Sequence, residues 1–599
     1  MAQTYDRVAE IAGVADERGN VLLPRNHMAK KTDVYVTLDS GGNFRRAAKD
    51  DLQICIPCTE DSASRSGKAI YPHPLHEELG YLAMDENKRK AYLAQISTWS
   101  KSHPKVEVVH KYIVDATILD DLQKESIEVD AKTFIRFRVE AGLEDLEPDL
   151  WKDPDIAKAW QAHYSKSTSK GMLTCYVTGD IAAPADKHPK GINQSTHGAK
   201  LISCNDETNY TYKGRFTKAE QANAISAQAS HKAHAMLKFL IATQGYKCDS
   251  QAVVAWAIDD GSALPDPFEG SLGLLSAVTK TDTEKQMDAQ WEIAADYAKQ
   301  LRLALGGRGK ATALNNRLRR IAVMAVDAAT TGRMSITFYQ ALDENEYIER
   351  VIAWHESCSW YFRGKDGRLY ISAPSVDRII AAVYGEPTGE SYNKLKKGAR
   401  ERLLHHIVCG QPLDRVWMSA AVAGASQPFS YSKQGGGWDK GRWENALSVT
   451  CAIVRKYYQK EGLTLGLDKS CTDRSYLFGR LLAIADRLES HARYKQGESS
   501  TDKRATNAIR YMTAFASKPL RTWNQIYKQL NPYIQRLNGA QWYQRQIDEV
   551  MGLFSPEHFS DKPLDGKYLL GYSLQRLEFD SKNKNPDRED SFYEPDKQD

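Results

Sequence analysis

The sequence predicts an α+β protein, in which a mixed β-rich N-terminal and central region is followed by an all-α C-terminal helical bundle. Three observations lead there. Apolar and polar residues alternate within the first 80 positions, a continuous apolar run near residue 255 has the length of a buried strand, and most segments beyond Pro267 carry apolar residues at helical spacing. At 599 residues the chain is several times the usual domain size, so several domains around large buried cores are expected. The divisions read from composition are a β-rich unit over 1–100, a central α+β region over 101–300, a mostly helical basic region over 301–465, a helical bundle over 466–550, and an acidic, partly disordered tail over 551–599.

Each element has its own signal. "DVYVTLD" (33–39) alternates as a half-buried strand, "SGGNF" (40–44) is a hairpin-type turn, and "LQICIPC" (52–58) is a second strand. After the Pro-bracketed "YPHPLHEELGY", Ala91, Tyr92, Ile96 and Trp99 recur at helical spacing. "KTFIRFRVE" and "MLTCYVTGD" read as strands. A long helix is expected from Thr217, with Thr217 as N-cap, Glu220 completing a capping box and Gly245 closing the far end. "AVVAWAID" reads as a buried strand, and 284–305, 312–330, 394–408, 443–460 and 473–495 read as helices. From Thr472 to Gln546 there are thirteen Lys or Arg against five Asp or Glu, and the last 53 residues reverse this with thirteen acids against seven bases.

The bulk numbers exclude several classes. Lys plus Arg exceeds Asp plus Glu by only 81 to 77, so charge distribution, not net charge, must identify a nucleic-acid binder. No run approaches the ~18 apolar residues of a membrane span, and the polar start lacks a signal region, so a cytoplasmic protein with no membrane partner is expected. Nine cysteines, an odd and sparse set, suit reduced thiols. The lone CxxC, Cys55 and Cys58, lacks a second pair for zinc.

Catalytic patterns are incomplete, and no catalytic residue, metal ligand or cofactor is assigned. His231 and His234 share a helix face without the Glu of a HExxH motif. His405 and His406 are adjacent, so a helix points them about 100° apart. "WHESCSW" (354–360) places a His, a Glu and a Cys together, but adjacency does not set catalytic geometry. "ALGGRGKATAL" fails as a phosphate loop because Ala304 stands where the first Gly belongs and Ala311 where a hydroxyl would hold magnesium. Charge remains: Arg302, Arg308, Lys310, Arg317, Arg319, Arg320 and Arg333 face only Asp327 in sequence, which suits either a solvated face or a polyanion site.

The stretch "KHPKGINQSTHGAKLISCN" (187–205) combines Lys187, Lys190 and Lys200 with the glycines Gly191 and Gly198 and the short polar side chains Asn193, Gln194, Ser195 and His197. Cations plus closely approaching backbone suit phosphate or base-edge contact; the alternative is a surface turn between strands.

Several ordered stretches resemble the large subunit of the type I-C CRISPR Cascade surveillance complex: "RSGKAIYPHPLHEELGY", "CYVTGD", the 187–205 loop, "NYTYKG", "VVAWA", "GRMSITFY", "KLKKGARERLLHHIVCGQPL" and "RSYLFGRLLAIADRLE". Two departures stand out: "NQSTHG" replaces the usual Ser-rich Gly run, and "RSGK" is followed by "AIYPHP". The resemblance implies a non-catalytic subunit that recognises a protospacer-adjacent motif on double-stranded target DNA, helps open the strands and recruits the helicase-nuclease. It implies as partners the guide RNA complex, the Cascade backbone and guide-end-capping subunits, small subunits and the displaced single strand. It places motif recognition in the N-terminal unit, with Lys30 and Lys31 on phosphates and Arg65, Ser66, Lys68 and His73 near base edges. The nucleic-acid path is expected along Arg302 to Arg320 and the helix carrying Lys394, Lys396, Lys397, Arg400 and Arg402. In the bundle, Leu477, Leu481, Ile484 and Leu488 form one stripe and Asp473, Arg480 and Arg487 another, so a packed face and a basic face are expected. Arg493, Lys503, Arg504 and Arg510 add charge among aromatics suited to a single strand. The resemblance further implies that this region can be translated from an internal start as a free small subunit. Two other classes stay open: a nucleic-acid-processing enzyme with a metal site assembled from distant residues, and a protein-only scaffold.

Overall fold

The computed structural model describes residues 1–63, 65, 69–142, 146–167, 171–185, 187–193, 198–203, 216–217, 219–274, 297–299, 301–303, 305, 319–364, 367–387, 389–433, 436–496 and 504–583. They form two compact units: Met1–Leu264 with Arg319–Leu342, and Pro265–Leu318 with Asp343–Asp599. This division is coarser than the five parts read from composition.

The first unit contains two four-stranded sheets. In one, β1 (His27–Asp39) and β2 (Phe44–Pro57) form an antiparallel hairpin. The Asp39 carboxylate accepts the N–H groups of Gly41 and Asn43, both at 2.9 Å, which closes the turn. The sheet continues through β3 (Glu77–Glu78) and β4 (Phe134–Glu140), the latter parallel to β1 with Val36 opposite Phe137. The alternating Val34, Val36 and Leu38 are buried against Tyr92, Ile96 and Trp99 of α1 (Glu86–Trp99) and Val106, Val109 and Ile113 of α2 (Pro104–Asp115). The NH of Trp160, on α3 (Pro154–Ser167), donates to the Asn26 carbonyl at 3.1 Å and ties that helix to the strand entry.

"MLTCYVTGD" is not one strand: β5 (Leu173–Thr174) pairs back with β6 (Ile181–Ala182) across a tight turn. The long helix, α4 (Ala227–Gln244), starts nine residues later than expected, because Ser226 rather than Thr217 is the N-cap and accepts the Ala229 N–H at 3.1 Å. The second sheet runs β7 (Tyr246–Cys248), β8 (Gln251–Ala257), β9 (Arg320–Thr330) and β10 (Arg333–Asp343), and β8 is buried along its whole length as expected. Residues 320–330 are therefore strand, not helix, and 284–296 lie outside the described residues. Met236, Leu237, Leu240 and Ile241 of α4 pack with Val254, Trp256, Ala322 and Met324 in this sheet's core.

The second unit is mostly helical: α5 (Glu344–Ser357), a two-stranded ribbon β11 (Trp360–Arg363) and β12 (Leu369–Ser372), then α6 (Val376–Tyr384), α7 (Glu390–Ile407), α8 (Arg415–Ala425) and α9 (Lys440–Tyr457). The central α10 (Arg474–Lys495) is surrounded by α11 (Asn507–Arg510), α12 (Pro519–Arg536), α13 (Ala540–Met551) and α14 (Lys567–Asn583). Helix α10 is buried nearly all round, so the expected basic face is not a free face: Arg480 is buried and donates to Gln575 Oε1 at 3.0 Å. Helix α14 lies within the segment read as an acidic tail, and residues 584–599 lie outside the described ones. Gly479 and Gly571 bring α10 and α14 backbone to backbone, since a Cβ at either would land on the carbonyl of Tyr568 or Tyr476 respectively.

Candidate nucleic-acid interface

The loop that begins at Lys187 is held at both ends. At its start the Lys187 N–H donates to Glu60 at 3.2 Å and its ammonium pairs with Asp61 at 2.5 Å. His188 is buried, with Nδ1 2.8 Å from the Ser230 hydroxyl and Nε2 3.0 Å from the Asn223 amide. At its end Lys200 bridges to the β9–β10 turn, its N–H donating to the Gly332 carbonyl at 3.2 Å and its carbonyl accepting the Met334 N–H at 2.9 Å. Gly198 is needed there, because a Cβ would stand 2.9 Å from the Thr331 carbonyl. Asn193 is a structural residue and not a free contact: it is buried, and its amide donates to the Ser250 carbonyl at 3.1 Å. Gln194, Ser195 and His197 lie outside the described residues.

Beneath this loop is a cleft of about 400 Å³ lined by Lys187, His188 and Lys190 on one side, His231 and Lys238 of α4 on another, and His27 of β1. Burial lowers the Lys238 pKa, and Lys190 lowers it further, with only the Cys58 thiol acting the other way. Lys200 is likewise lowered by burial and then by Lys190 and Lys187. Lys190 thus disfavours the charge on both Lys238 and Lys200, and an anion in the cleft would favour it. Burial also keeps the nearby imidazoles neutral, with His27 and His188 held down to about 4 and His231 to about 3. Sequence reasoning missed Lys238, although a single cation inside the apolar helical run "AMLKFLIA" is the kind of signal that marks a buried polar function.

Of the residues expected to read the motif, two of the described ones are engaged inside the first unit. Arg65 is committed to Glu77 through two bonds of 2.6 and 2.9 Å and lies over the Tyr81 ring at 4.6 Å. His73 is buried, its N–H donates to the same carboxylate at 2.6 Å, and its ring packs against Phe134. Lys30 lies 4.9 Å over the Phe134 ring, Lys31 pairs with Asp51 at 2.7 Å on the exposed surface, and Ser66 and Lys68 lie outside the described residues. Because Glu77 is wholly buried, Arg65→Ala is expected to destabilise the first unit by about 3–5 kcal/mol, with part of the loss recovered in an Arg65→Met, Glu77→Gln double variant, whose amide oxygen still accepts the His73 N–H. Urea unfolding of the three proteins measures this, and a wild-type midpoint for Arg65→Ala would refute it.

Two enzyme-like groupings are packed inside the fold. His355 meets the Ser271 hydroxyl at 2.8 Å, but both are fully buried. Burial pushes the Cys58 and Cys358 thiols up to about 12 and keeps them protonated. Among the described residues no group of three or more His, Cys, Asp or Glu is placed to hold a metal ion, and no helix is long and apolar enough to cross a membrane.

A family described as CRISPR-associated protein (Cas_Csd1) matches residues 1–579. The chain belongs to this family. No curated protein matches it.

In this Cas_Csd1 chain the arginine-rich stretch is divided between the two units and is partly neutralised. Arg302 forms a bidentate pair with Glu356 at 2.7 and 2.9 Å, Arg319 pairs with Asp260, Arg320 is exposed, and Arg308, Lys310 and Arg317 lie outside the described residues. On α7, Lys396 and the buried Arg400 share Asp377, while Lys394 is exposed, Lys397 is half-buried and Arg402 stacks over Trp417. Arg400 is thus one of the most buried cations of α7, at 1% exposed. In the bundle Arg487 pairs with Asp580 at 3.6 Å, Arg493 donates to the Arg504 carbonyl at 2.9 Å, Arg504 and Arg510 are exposed, and Lys503 lies outside the described residues.

Proposed function

We propose that this CRISPR-associated protein is the non-catalytic large subunit of a type I-C Cascade complex, which binds double-stranded target DNA, recognises the adjacent motif, helps open the strands and recruits the helicase-nuclease. The observation that carries this reading is the gathering of Lys187, Lys190 and Lys238 along one cleft beneath the loop, because a cleft lined by cations concentrates an anion. Supporting strand opening, the hairpin just before the loop exposes Tyr176, Val177 and Ile181 by 64%, 62% and 70%, and apolar side chains of this kind can insert between base steps. The burial of Ser271 and His355 favours the non-catalytic reading.

A Lys190→Glu, Lys200→Glu double variant tests it by fluorescence anisotropy on duplex DNA across a salt series. The duplex affinity should fall by at least about tenfold and the salt slope by about two, one for each phosphate that a lysine no longer neutralises. Unchanged binding at every salt concentration would remove the cleft from the DNA surface.

A further inference from the structure

The second unit holds a larger cleft, of about 590 Å³, between the C-terminal half of α10 and the ends of α9, α11 and α14. One wall is a single stripe of α10, where Asp486, Arg487, Ser490, Arg493 and Tyr494 follow at helical spacing. Facing it are Lys440 and Glu444 of α9, Arg576 and Asp580 of α14, and Trp438 before α9.

The floor and the rim differ in chemistry. On the floor, Asp486 accepts the Thr506 hydroxyl at 2.6 Å and the Tyr572 hydroxyl at 2.7 Å, and Arg576 pairs with Glu444 at 2.8 Å. The floor thus carries two carboxylates against one guanidinium and offers both donors and acceptors. The rim is not balanced: among the described residues neither Arg504 nor Lys433 has an ion-pair partner, and both line the cleft. Tyr494 is 47% exposed, and Trp438, packed on Trp443 at 6.0 Å, has an indole N–H that is buried with no partner among the described residues.

A phosphate would be repelled by Asp486 and Glu444 on the floor but held by the rim cations. A base needs flat aromatic faces and an edge of mixed donors and acceptors, which the walls and floor supply. The volume lies in the range of pockets that enclose a ligand of nucleotide size. We infer that this cleft receives one unpaired nucleotide of a nucleic-acid single strand, base inward and phosphate at the rim. The inference rests on the reading of the chain as a nucleic-acid-binding subunit and adds to it a pocket for a single nucleotide of the strand.

The test uses the full chain with fluorescein-labelled oligothymidylate and oligouridylate of about 15 nucleotides, a labelled duplex, and AMP and dAMP as unlabelled competitors. Tyr494→Ala and Arg504→Glu, both at exposed positions where folding is not at stake, should each weaken single-strand binding about tenfold and leave duplex affinity within about twofold. Arg504→Glu alone should lower the single-strand salt slope, by about one. Which oligonucleotide loses more tells whether the strand is DNA or RNA. Unchanged single-strand affinity in both variants overturns the site, and so does displacement by AMP or dAMP at micromolar concentration, which would make a free nucleotide the ligand. If the unaltered chain fails to bind duplex yet binds single strands in a manner the two variants weaken, the proposed duplex-reading role falls and the cleft stands.

Discussion

Lowering the pH from 7 to 5 is expected to unfold the first unit while the helical unit keeps its structure. In the first unit burial holds His27, His188 and His234 down to about 4 and His76 and His231 to about 3, each below the ordinary 6.5. A depressed folded-state pKa means the unfolded chain binds the proton first. These groups therefore contribute stability above pH 6.5, and that contribution is lost as the pH falls from 6.5 toward the folded values. At pH 5 each imidazole has cost roughly 2 kcal/mol, from about 1.36 kcal/mol per pH unit over about 1.5 units. Five of them reach the order of 10 kcal/mol, comparable with the whole stability of a typical domain. The second unit has only His355, at about 3, and His491, at about 4, among its strongly depressed imidazoles. Hydrogen exchange read by mass spectrometry, corrected for intrinsic pH dependence, should show β1, β2 and α4 unprotected at pH 5 and α10 still protected. Full protection of α4 at pH 5 would refute this, and His231→Gln should lower the slope by one proton.

Much of the β architecture is legible because one face of each strand has to be buried. Val34, Val36 and Leu38 alternate for that reason, and the turn at Gly41–Gly42 is fixed by local chemistry around Asp39. Residues 320–330 look helical in sequence because Ile321 to Val326 are buried on both faces, so no alternation survives, and Ala and Met favour a helix locally. Pairing with β8 decides the strand, and that partner is some 70 residues away. The helix start is obscured for a similar reason. Thr217 and Glu220 have capping-box spacing, but the Thr217 hydroxyl donates to Gln221 Oε1 at 3.1 Å, and Ser226 caps α4 without any Glu to announce it. For the site, residue type is legible and partnership is not. Lys187 and Arg65 both read as surface cations in turns, yet Lys187 meets Asp61, 126 residues earlier, and Arg65 meets a wholly buried Glu77. Lysines near the cleft become informative only when the fold brings Lys190 close enough to Lys200 and to Lys238 for its charge to act on both.

The helical bundle is expected to need residues beyond 550, so deleting α14 should unfold it. Sequence composition ends the bundle at 550 because the following residues are acidic overall, but α14 itself carries only Glu578 and Asp580 as acids. Tyr568, Leu569, Leu570, Tyr572, Leu574 and Phe579 of α14 are all buried. At about 1.5–3 kcal/mol for each buried apolar side chain, their loss amounts to roughly 10–15 kcal/mol, which matches or exceeds the stability of an ordinary domain. Deletion also strips Asp486 of the Tyr572 hydroxyl that donates to it at 2.7 Å, leaving a buried carboxylate short of partners. A chain truncated after residue 560 should therefore lose the cooperative transition of the helical unit in a thermal scan, whereas one truncated after Asn583 should keep it. The glycine crossing supplies a finer test, because Gly479→Ala pushes α10 off the Tyr568 carbonyl and should cost at least about 1–3 kcal/mol while the rest of the packing stays in place. The same reasoning sets a boundary for any small subunit made from this region: a fragment from Thr472 to 550 should be unfolded, and one reaching Asn583 should be helical, as circular dichroism of the two fragments would show. A folded fragment ending at 550 would mean that α12 and α13 alone can cover α10, and that the buried face of α14 is dispensable.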